Sequence, residues 1–280
     1  MAQEVDHPLL FLRHDVEPDP NERPFVRVVS TREELNHWLQ ESPPGLQWLQ
    51  VEGLLGDGDA WAFAAQGQSD IPLDVFLSEP GSEFSDLYRL VDVRSVRDVR
   101  VSIRASPGFL KAVRLAASLG LPIRLLPGQP TAEAVEELGA ALAFYLHDPM
   151  VDAPIEFFHS ALAWMRSAPT GSLWIILEED PSIFQHHYQL KDEQSLLRAV
   201  KASSKEGLDF VASHLRKLID SGAECASCPW VEFCQGYFKW PVPGYSCTGV
   251  KQLFATLQAA AAEIEEDLSA FGKESTIHDE

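Results

Sequence analysis

Residues 98–147 read DVRVSIRASPGFLKAVRLAASLGLPIRLLPGQPTAEAVEELGAALAFYLH, and this stretch decides the fold class. Residues 98–104 alternate between apolar and polar side chains, which is typical of a β-strand with one buried face. A helical segment follows, then a second strand over residues 121–126 and a second helix over residues 132–146. Strands and helices that alternate with such short connections indicate parallel strands joined by helices, and therefore an α/β protein.

The ends of both helices carry residues suited to capping. We expect Ser106 to cap the first helix, with Pro107 at its first helical position, and Gly120 to end it. Thr131 is expected to cap the second helix. The predicted caps and the hydrophobic pattern therefore place the helix boundaries at the same points.

The flanking sequence extends the pattern in both directions. Alternation and turn residues predict strands at residues 8–13, 24–29, 46–52, 71–77 and 172–178. Helical spacing predicts a helix capped by Ser30 or Thr31, with Glu33 and Glu34 at capping-box distance, and a helix near Trp61. Further helices are predicted at residues 83–91, 154–167, 190–202, 204–221 and 249–270. We expect an α/β domain over residues 1–180 and a helical C-terminal region over residues 181–280.

The charge of the chain limits its partners. Its 280 residues include 42 acidic and 22 basic ones, which gives a net charge of −20. Nucleic-acid affinity comes largely from Lys and Arg side chains that displace counterions, so we expect no nucleic-acid partner. Anionic membranes are disfavoured for the same reason, whereas partners with basic surfaces are attracted.

The sequence contains no visible signal for export or membrane insertion. The segment Met1–His7 is polar and lacks a basic stretch followed by an apolar one. A run of about 18 apolar residues, which a membrane-spanning helix needs, is absent. We therefore expect a cytoplasmic protein whose cysteines stay reduced.

All cysteines of the chain fall within one short segment. They are Cys225, Cys228, Cys234 and Cys247, with the spacing C-x2-C-x5-C-x12-C. Thiolates two residues apart on a turn can share a metal centre, and a loop that folds back can bring the other two. Clustered cysteines in a reducing compartment indicate metal binding rather than disulfides. Four thiolates suit either a 4Fe–4S cluster or a structural zinc ion, and the spacing leaves both open.

The segment C-x2-C-P-W-x3-C-x-G-Y-F with the later Cys247 resembles the C-terminal SPASM region of radical-SAM peptide-maturing enzymes. In that family the first three cysteines and the last one hold the outer auxiliary 4Fe–4S cluster. The resemblance implies that Cys225, Cys228, Cys234 and Cys247 hold one such cluster, and it favours iron–sulfur over zinc. Phe238 stands where the family has a cysteine that reaches a second cluster, and the upstream cysteines of that cluster are also missing.

The resemblance does not extend to the radical chemistry. Radical-SAM enzymes need a C-x3-C-x2-C motif near the first barrel strand, and this chain has no cysteine before Cys225. The resemblance implies a reduced or partial (β/α) barrel with a SPASM-like cap. It also implies an accessory or binding protein in peptide or protein maturation, which presents a substrate or relays electrons. The expected partner is a peptide or protein substrate, or a maturation enzyme.

Two other functions remain open. The first is a structural zinc site on a protein-interaction module. The second is an enzyme with its active site at the barrel mouth, built from His14, Asp15 or Glu52, because residues at the carboxyl ends of barrel strands commonly line a site. Asp57 and Asp59 lie in a GDGD stretch that lacks the remainder of a calcium loop, so a plain turn is favoured there.

Overall fold

The computed structural model of the protein describes residues 9–13, 24–67, 69–187 and 210–275. The strands in these residues are β1 Leu9–Leu12, β2 Phe25–Val29, β3 Leu46–Glu52, β4 Leu73–Leu77, β5 Val99–Arg104, β6 Ile123–Leu126, β7 Ile155–Glu156 and β8 Phe184–His187. The α-helices are α1 Arg32–Glu41, α2 Gly58–Ala64, α3 Pro80–Glu83, α4 Leu90–Arg94, α5 Phe109–Ser118, α6 Ala132–His147, α7 Phe158–Met165, α8 Leu173–Ile176, α9 Phe210–Asp220, α10 Val231–Cys234 and α11 Thr248–Ser275. Short 3-10 helices span Phe84–Arg89, Glu224–Ser227 and Tyr237–Lys239.

The eight strands form one parallel sheet in the order β7-β6-β5-β4-β3-β2-β1-β8. The sheet curls into a half-barrel, as in a partial β/α barrel. It stays open between β7 and β8, which are its two edges. The α/β fold class predicted from residues 98–147 is therefore confirmed.

The two faces of the sheet bury different side chains. On β4, Leu73, Val75 and Leu77 belong to the main core that the sheet forms with the surrounding helices. Successive side chains of a strand point to opposite faces, so Asp74 lies on the other, inner face. A smaller apolar cluster, built around the buried Phe11, occupies the inner face near β1 and β2. The inner face thus combines a small apolar patch with polar side chains.

Two predicted helix caps are confirmed. Thr31 caps α1 in a full capping box: its side chain accepts from the backbone N–H of Glu34, whose carboxylate accepts from the Thr31 N–H. Thr131 caps α6 by accepting from the N–H of Ala134 at 3.2 Å. Such caps satisfy backbone donors that a helix start leaves without partners.

The predicted start of α5 is wrong. The helix begins at Phe109, after Gly108 in a left-handed conformation with φ of 88°, and not at Pro107. The N–H groups of Gly108 and Leu110 donate to the carboxylate of Glu137 on α6, at 2.6 and 3.1 Å. A carboxylate from a distant element therefore replaces the local serine cap.

The predicted strand over residues 172–178 is also wrong. Its centre forms the short helix α8, with Leu173 and Trp174 buried and the indole N–H of Trp174 donating to Gln235 O at 3.1 Å. A short apolar run fits a buried strand and a buried helix equally well, so its pattern does not distinguish them. The last strand is instead β8, which pairs with β1.

The C-terminal segments pack onto the half-barrel. Helix α11 lies against α6 and α7, and Phe254 of α11 and Phe238 both contact the ring of Phe157, which is fully buried. The domain boundary at residue 180 stays a prediction, and the helix predicted at residues 190–202 lies outside the described residues. Of the helices described here, none combines the length and apolar character that crossing a bilayer requires.

Candidate metal centre

The cysteine segment sits at the carboxyl end of the parallel strands. Gln129, just after β6, donates from Nε2 to Phe238 O at 3.0 Å and to Val242 O at 2.9 Å. Tyr245 donates its hydroxyl to Pro130 O at 2.8 Å. Three hydrogen bonds therefore hold the segment at the carboxyl ends of the strands, which is where β/α barrels carry their functional sites.

Tight turns set the positions of the first three cysteines. Cys225 lies in a 3-10 helix, and its carbonyl accepts from the N–H of Cys228 at 3.2 Å. Cys234 ends α10, and the two residues after it adopt left-handed conformations, with φ of 47° at Gln235 and 77° at Gly236. A Cβ at Gly236 would come within 2.7 Å of Leu218 Cδ1, so glycine is required at this reversal.

The four cysteines line one small cavity of about 20 Å³ together with Lys239. Cys225 and Cys247 are buried, Cys228 and Cys234 are half-buried, and all four thiols are free. The structure thus brings together the four residues that the spacing singled out. Cys247 arrives directly before α11, where its carbonyl accepts from the N–H of Lys251.

The four cysteines line this cavity, but in the described residues they do not form a ready-made metal site. Across the described part of the chain, no group of three or more His, Cys, Asp or Glu side chains is arranged so that it could hold a metal ion. Zinc needs its thiolates about 2.3 Å from a single centre, whereas the thiolates of a cluster bind different iron atoms. The donor set itself, four free thiols around one cavity, fits a four-thiolate group whose binding draws the sulfurs into place.

Glu224 connects the two ends of the cysteine segment. Its carboxylate accepts from Lys239 Nζ at 2.7 Å, from Lys251 Nζ at 2.5 Å and from the N–H of Cys247 at 3.1 Å. These hydrogen bonds, first that of Lys239, lower the pKa of Glu224 to about 2. Two ammonium groups are thereby held at the wall of the cavity, where they attract negative charge.

Burial makes the free thiols weak acids. It raises the pKa of Cys225, and it raises the pKa of Cys234 to about 11 and that of Cys247 to about 12. The backbone N–H groups of Phe238 and Gly236 hydrogen-bond the Cys234 sulfur and oppose part of this effect. These three thiols are therefore protonated at neutral pH without a metal, and a metal must displace their protons.

Aromatic side chains join the cysteine segment to the half-barrel. The hydroxyl of Tyr237 donates to the carboxylate of Glu179, and burial holds the pKa of Tyr237 well above its usual value. The ring of Tyr237 lies edge-on to Trp174 and Phe238, with centroid distances of 5.2 and 5.1 Å. Sequence reasoning missed Glu179, because its partner lies 58 positions away and no local pattern links the two.

The inner face of the half-barrel carries an ion-pair network that the sequence did not reveal. Asp74 accepts from the guanidinium groups of Arg100 and Arg124, each at 2.7 Å, and from Ser102 Oγ at 2.5 Å. Glu178, from the turn after α8, pairs with both arginines. Burial acts to raise the pKa of Asp74, but Arg124 and Arg100 lower it below its usual value. The network therefore stays ionised and fills the inner face of β4 to β6.

The residues proposed for a barrel-mouth active site are not assembled in the described residues. His14 and Asp15 lie outside them. Glu52 accepts from Arg13 Nη2 at 2.9 Å and from Gln50 Nε2 at 2.8 Å, which makes it part of an ion pair at the end of β3. The barrel-mouth enzyme therefore stays a prediction, because the structure locates Glu52 but does not describe His14 and Asp15, the other residues proposed for its active site.

The GDGD stretch has a structural role. Asp57 is the N-cap of α2, where its side chain accepts from the N–H of Asp59 and of Ala60. Both carboxylates also accept from Arg32, at 2.8 to 2.9 Å. A capped turn with an ion pair accounts for these acids, as the sequence favoured.

In comparisons with known proteins, no protein-family model, curated protein or solved structure matched the chain. The resemblance of the cysteine segment to SPASM regions therefore stays a prediction. What the protein does has to follow from the chemistry of its own side chains.

Proposed function

We propose that the chain is an accessory or binding protein that holds one 4Fe–4S cluster through Cys225, Cys228, Cys234 and Cys247. The observation that carries the proposal is that these four free thiols line a single cavity. Their spacing and the G-Y-F that follows Cys234 resemble the outer cluster site of SPASM regions. The C-terminal region is accordingly proposed to be a SPASM-like cap on a partial barrel.

The surroundings of the thiols suit an anionic group. Four thiolates carry more negative charge than a 4Fe–4S core carries positive charge, and the ammonium groups of Lys239 and Lys251 stand at the cavity wall. The N–H groups of Gly236 and Phe238 already hydrogen-bond the Cys234 sulfur. When bound, the cluster would accept and release single electrons. Ligation by cysteine alone leaves no open iron position, which favours electron relay or a structural role over Lewis-acid catalysis.

The position of the segment favours a role in peptide or protein maturation. It covers the carboxyl end of the sheet, where a partial barrel would receive a substrate. The net charge of −20 attracts a basic peptide or a basic surface on a maturation enzyme. The radical chemistry itself is assigned to that partner, since the chain lacks the C-x3-C-x2-C motif.

Anaerobic purification tests the metal centre. We expect brown protein with broad absorption near about 400 nm and about four iron and four sulfide per chain. Cys234→Ser should lose most of the iron, because one ligand is removed and the remaining three hold the cluster weakly. Ser246→Ala is the matched control, since it changes a neighbouring exposed hydroxyl that is not a ligand. Anaerobic protein free of iron and sulfide contradicts the proposal.

A structural zinc site is the second candidate, and the size of the cavity favours it. A volume of about 20 Å³ is close to that of one water molecule, so a single ion requires less expansion of the loop than a cluster does. The same preparation distinguishes the two metals. Colourless protein with one zinc per chain supports the protein-interaction module and rejects the iron–sulfur proposal.

A further inference from the structure

A second cavity opens at the other end of the half-barrel. It has a volume of about 380 Å³ and lies at the amino ends of β3 to β6, between Pro72 before β4 and Pro122 before β6. Trp48 and the side chains of Arg94, Arg97 and Arg100 line it. The cysteine segment lies at the opposite, carboxyl ends of the strands, so this cavity is separate from the candidate metal centre.

Two residues that line this cavity, Arg97 and Trp48, carry buried N–H donors without acceptors in the described part of the chain. Arg97 is only 7% exposed, and its Nε has no hydrogen-bond partner. The Nε1 of Trp48 is also buried and without a partner. Leaving a buried donor unpaired costs about 1–3 kcal/mol, so such groups in native proteins call for an explanation such as a bound ligand.

The guanidinium of Arg97 is also poorly neutralised. Its Nη1 makes only long hydrogen bonds of 3.3 Å, to Ser69 Oγ and to Ile71 O, and no described carboxylate lies within ion-pair distance. Burial lowers the pKa of Arg97, and the more distant charge of Asp70 opposes this only in part. An anion held by the Arg97 guanidinium would neutralise its charge.

The neighbouring arginines differ in how far they are already paired. Arg100 is neutralised by Asp74 and Glu178. Arg94 is exposed and donates from Nη1 only to the carbonyl of Leu119, at 2.8 Å, with no carboxylate partner in the described residues. Arg94 and Arg97 therefore bring two positive charges to this cavity. The lining also includes Asp74, which is already paired with Arg100 and Arg124, and the exposed carboxylate of Asp98, so one positive charge remains in excess although the chain as a whole carries a charge of −20.

We propose that this cavity binds a small organic anion, with a phosphate or carboxylate group held by Arg97 and Arg94. The cavity lies within the usual range of about 300–1,000 Å³ for small-molecule sites, and it is much larger than an inorganic anion needs. The apolar rings of Pro72 and Pro122 and the indole of Trp48 suit a flat apolar body. Arginine presents a fork of donors that matches both kinds of oxyanion.

Calorimetric titration of the full chain with phenyl phosphate and with phenylacetate tests the proposal. We expect at least one of them to bind, and the better probe identifies the anionic group. Inorganic phosphate should bind at least about 10-fold more weakly than phenyl phosphate if phosphate is preferred, because it lacks the apolar body. Failure of both aromatic probes to bind overturns the proposal.

Variants locate the binding to this cavity. Arg97→Lys keeps the charge but loses the fork, and we expect affinity to fall about 10- to 100-fold. Arg94→Gln removes one of the two charges from an exposed side chain that donates to the Leu119 carbonyl, and Trp48→Phe makes the aromatic wall of the cavity smaller; each should weaken binding about 3- to 10-fold. Arg166→Gln is the matched control. It breaks an ion pair with Glu265, and neither residue lines this cavity, so the variant should bind the probes as the wild type does. Equal affinity in Arg94→Gln, Arg97→Lys and wild type overturns the proposal.

Discussion

Glu224 shows how one side chain organises the candidate metal centre. Its carboxylate accepts from two lysines and from the backbone of Cys247, so it ties the start of the cysteine segment to its end. Lys239 is 5% exposed, and its ammonium group depends on Glu224 for its only carboxylate in the described residues. A buried charge without a partner is strongly destabilising.

Glu224→Gln should therefore lower the free energy of unfolding by about 1–3 kcal/mol, because the buried Lys239 ammonium loses its counter-charge. Urea denaturation at neutral pH measures the change. Glu232→Gln alters an exposed acid in the same segment and is the matched control, with little expected effect. Because the pKa of Glu224 is lowered to about 2, its contribution to stability is present above its usual pKa and is lost as the pH falls towards 2. A wild type and a Glu224→Gln variant of equal stability at pH 7 would contradict this account.

The thiols predict a pH dependence of metal binding. Burial raises the pKa values of Cys234 and Cys247 to about 11 and 12, so both are protonated at pH 7 in the metal-free chain. Metal binding should release the protons of Cys225, Cys234 and Cys247, and the apparent affinity should fall as the pH is lowered. Competition with a chelator between about pH 6 and pH 8 measures the slope. Cys234→Ser should release fewer protons, and an affinity that does not change with pH contradicts four-thiolate ligation.

At the scale of the elements, three of the longer helices, α1, α5 and α6, begin where a side chain accepts from their first N–H groups. For α1 and α6 that side chain is a threonine directly before the helix, and the sequence showed both. For α5 the acceptor is Glu137, which is 27 to 29 positions away, so the local serine gave a wrong start. The same contact ties α5 to α6, its neighbour around the half-barrel.

Removal of this distant cap should destabilise the protein. Glu137→Gln loses the charge that the N–H groups of Gly108 and Leu110 contact, and we expect a loss of about 1 kcal/mol in the free energy of unfolding. Glu136→Gln, at the adjacent exposed position, should leave stability unchanged within about 0.5 kcal/mol. A similar loss in both variants would show that Glu137 acts only through its general charge.

At the scale of the whole molecule, one hydrophobic core joins the half-barrel to the cysteine segment. Phe254 of α11 is 2% exposed, and it contacts Phe157 next to β7 as well as Phe233 and Phe238 beside the cysteines. The C-terminal segment and the sheet should therefore unfold together. A metal bound to the cysteines would then stabilise the entire chain by mass action.

Phe254→Ala should lower the free energy of unfolding by about 3–5 kcal/mol, because it leaves a cavity in the shared core. Leu268→Ala changes an exposed side chain of the same helix and should have little effect. Circular dichroism reports the secondary structure and fluorescence reports the seven tryptophans, which lie both in the half-barrel and near the cysteines; both should give one common transition. Two separate transitions would show that the C-terminal segment is an independent unit.

The local sequence determined the α/β class, the caps at Thr31 and Thr131, most strand positions, and the four cysteines as one group. These features depend on side-chain period and spacing over a few residues, which any reader of the chain can see. Only the tertiary structure decided that residues 173–176 form a helix, that β8 pairs with β1, and that three arginines and a tryptophan share a cavity. Those outcomes depend on contacts between residues far apart in the chain. Burial and the need to pair buried hydrogen-bonding groups select such contacts, and the local sequence pattern does not reveal them.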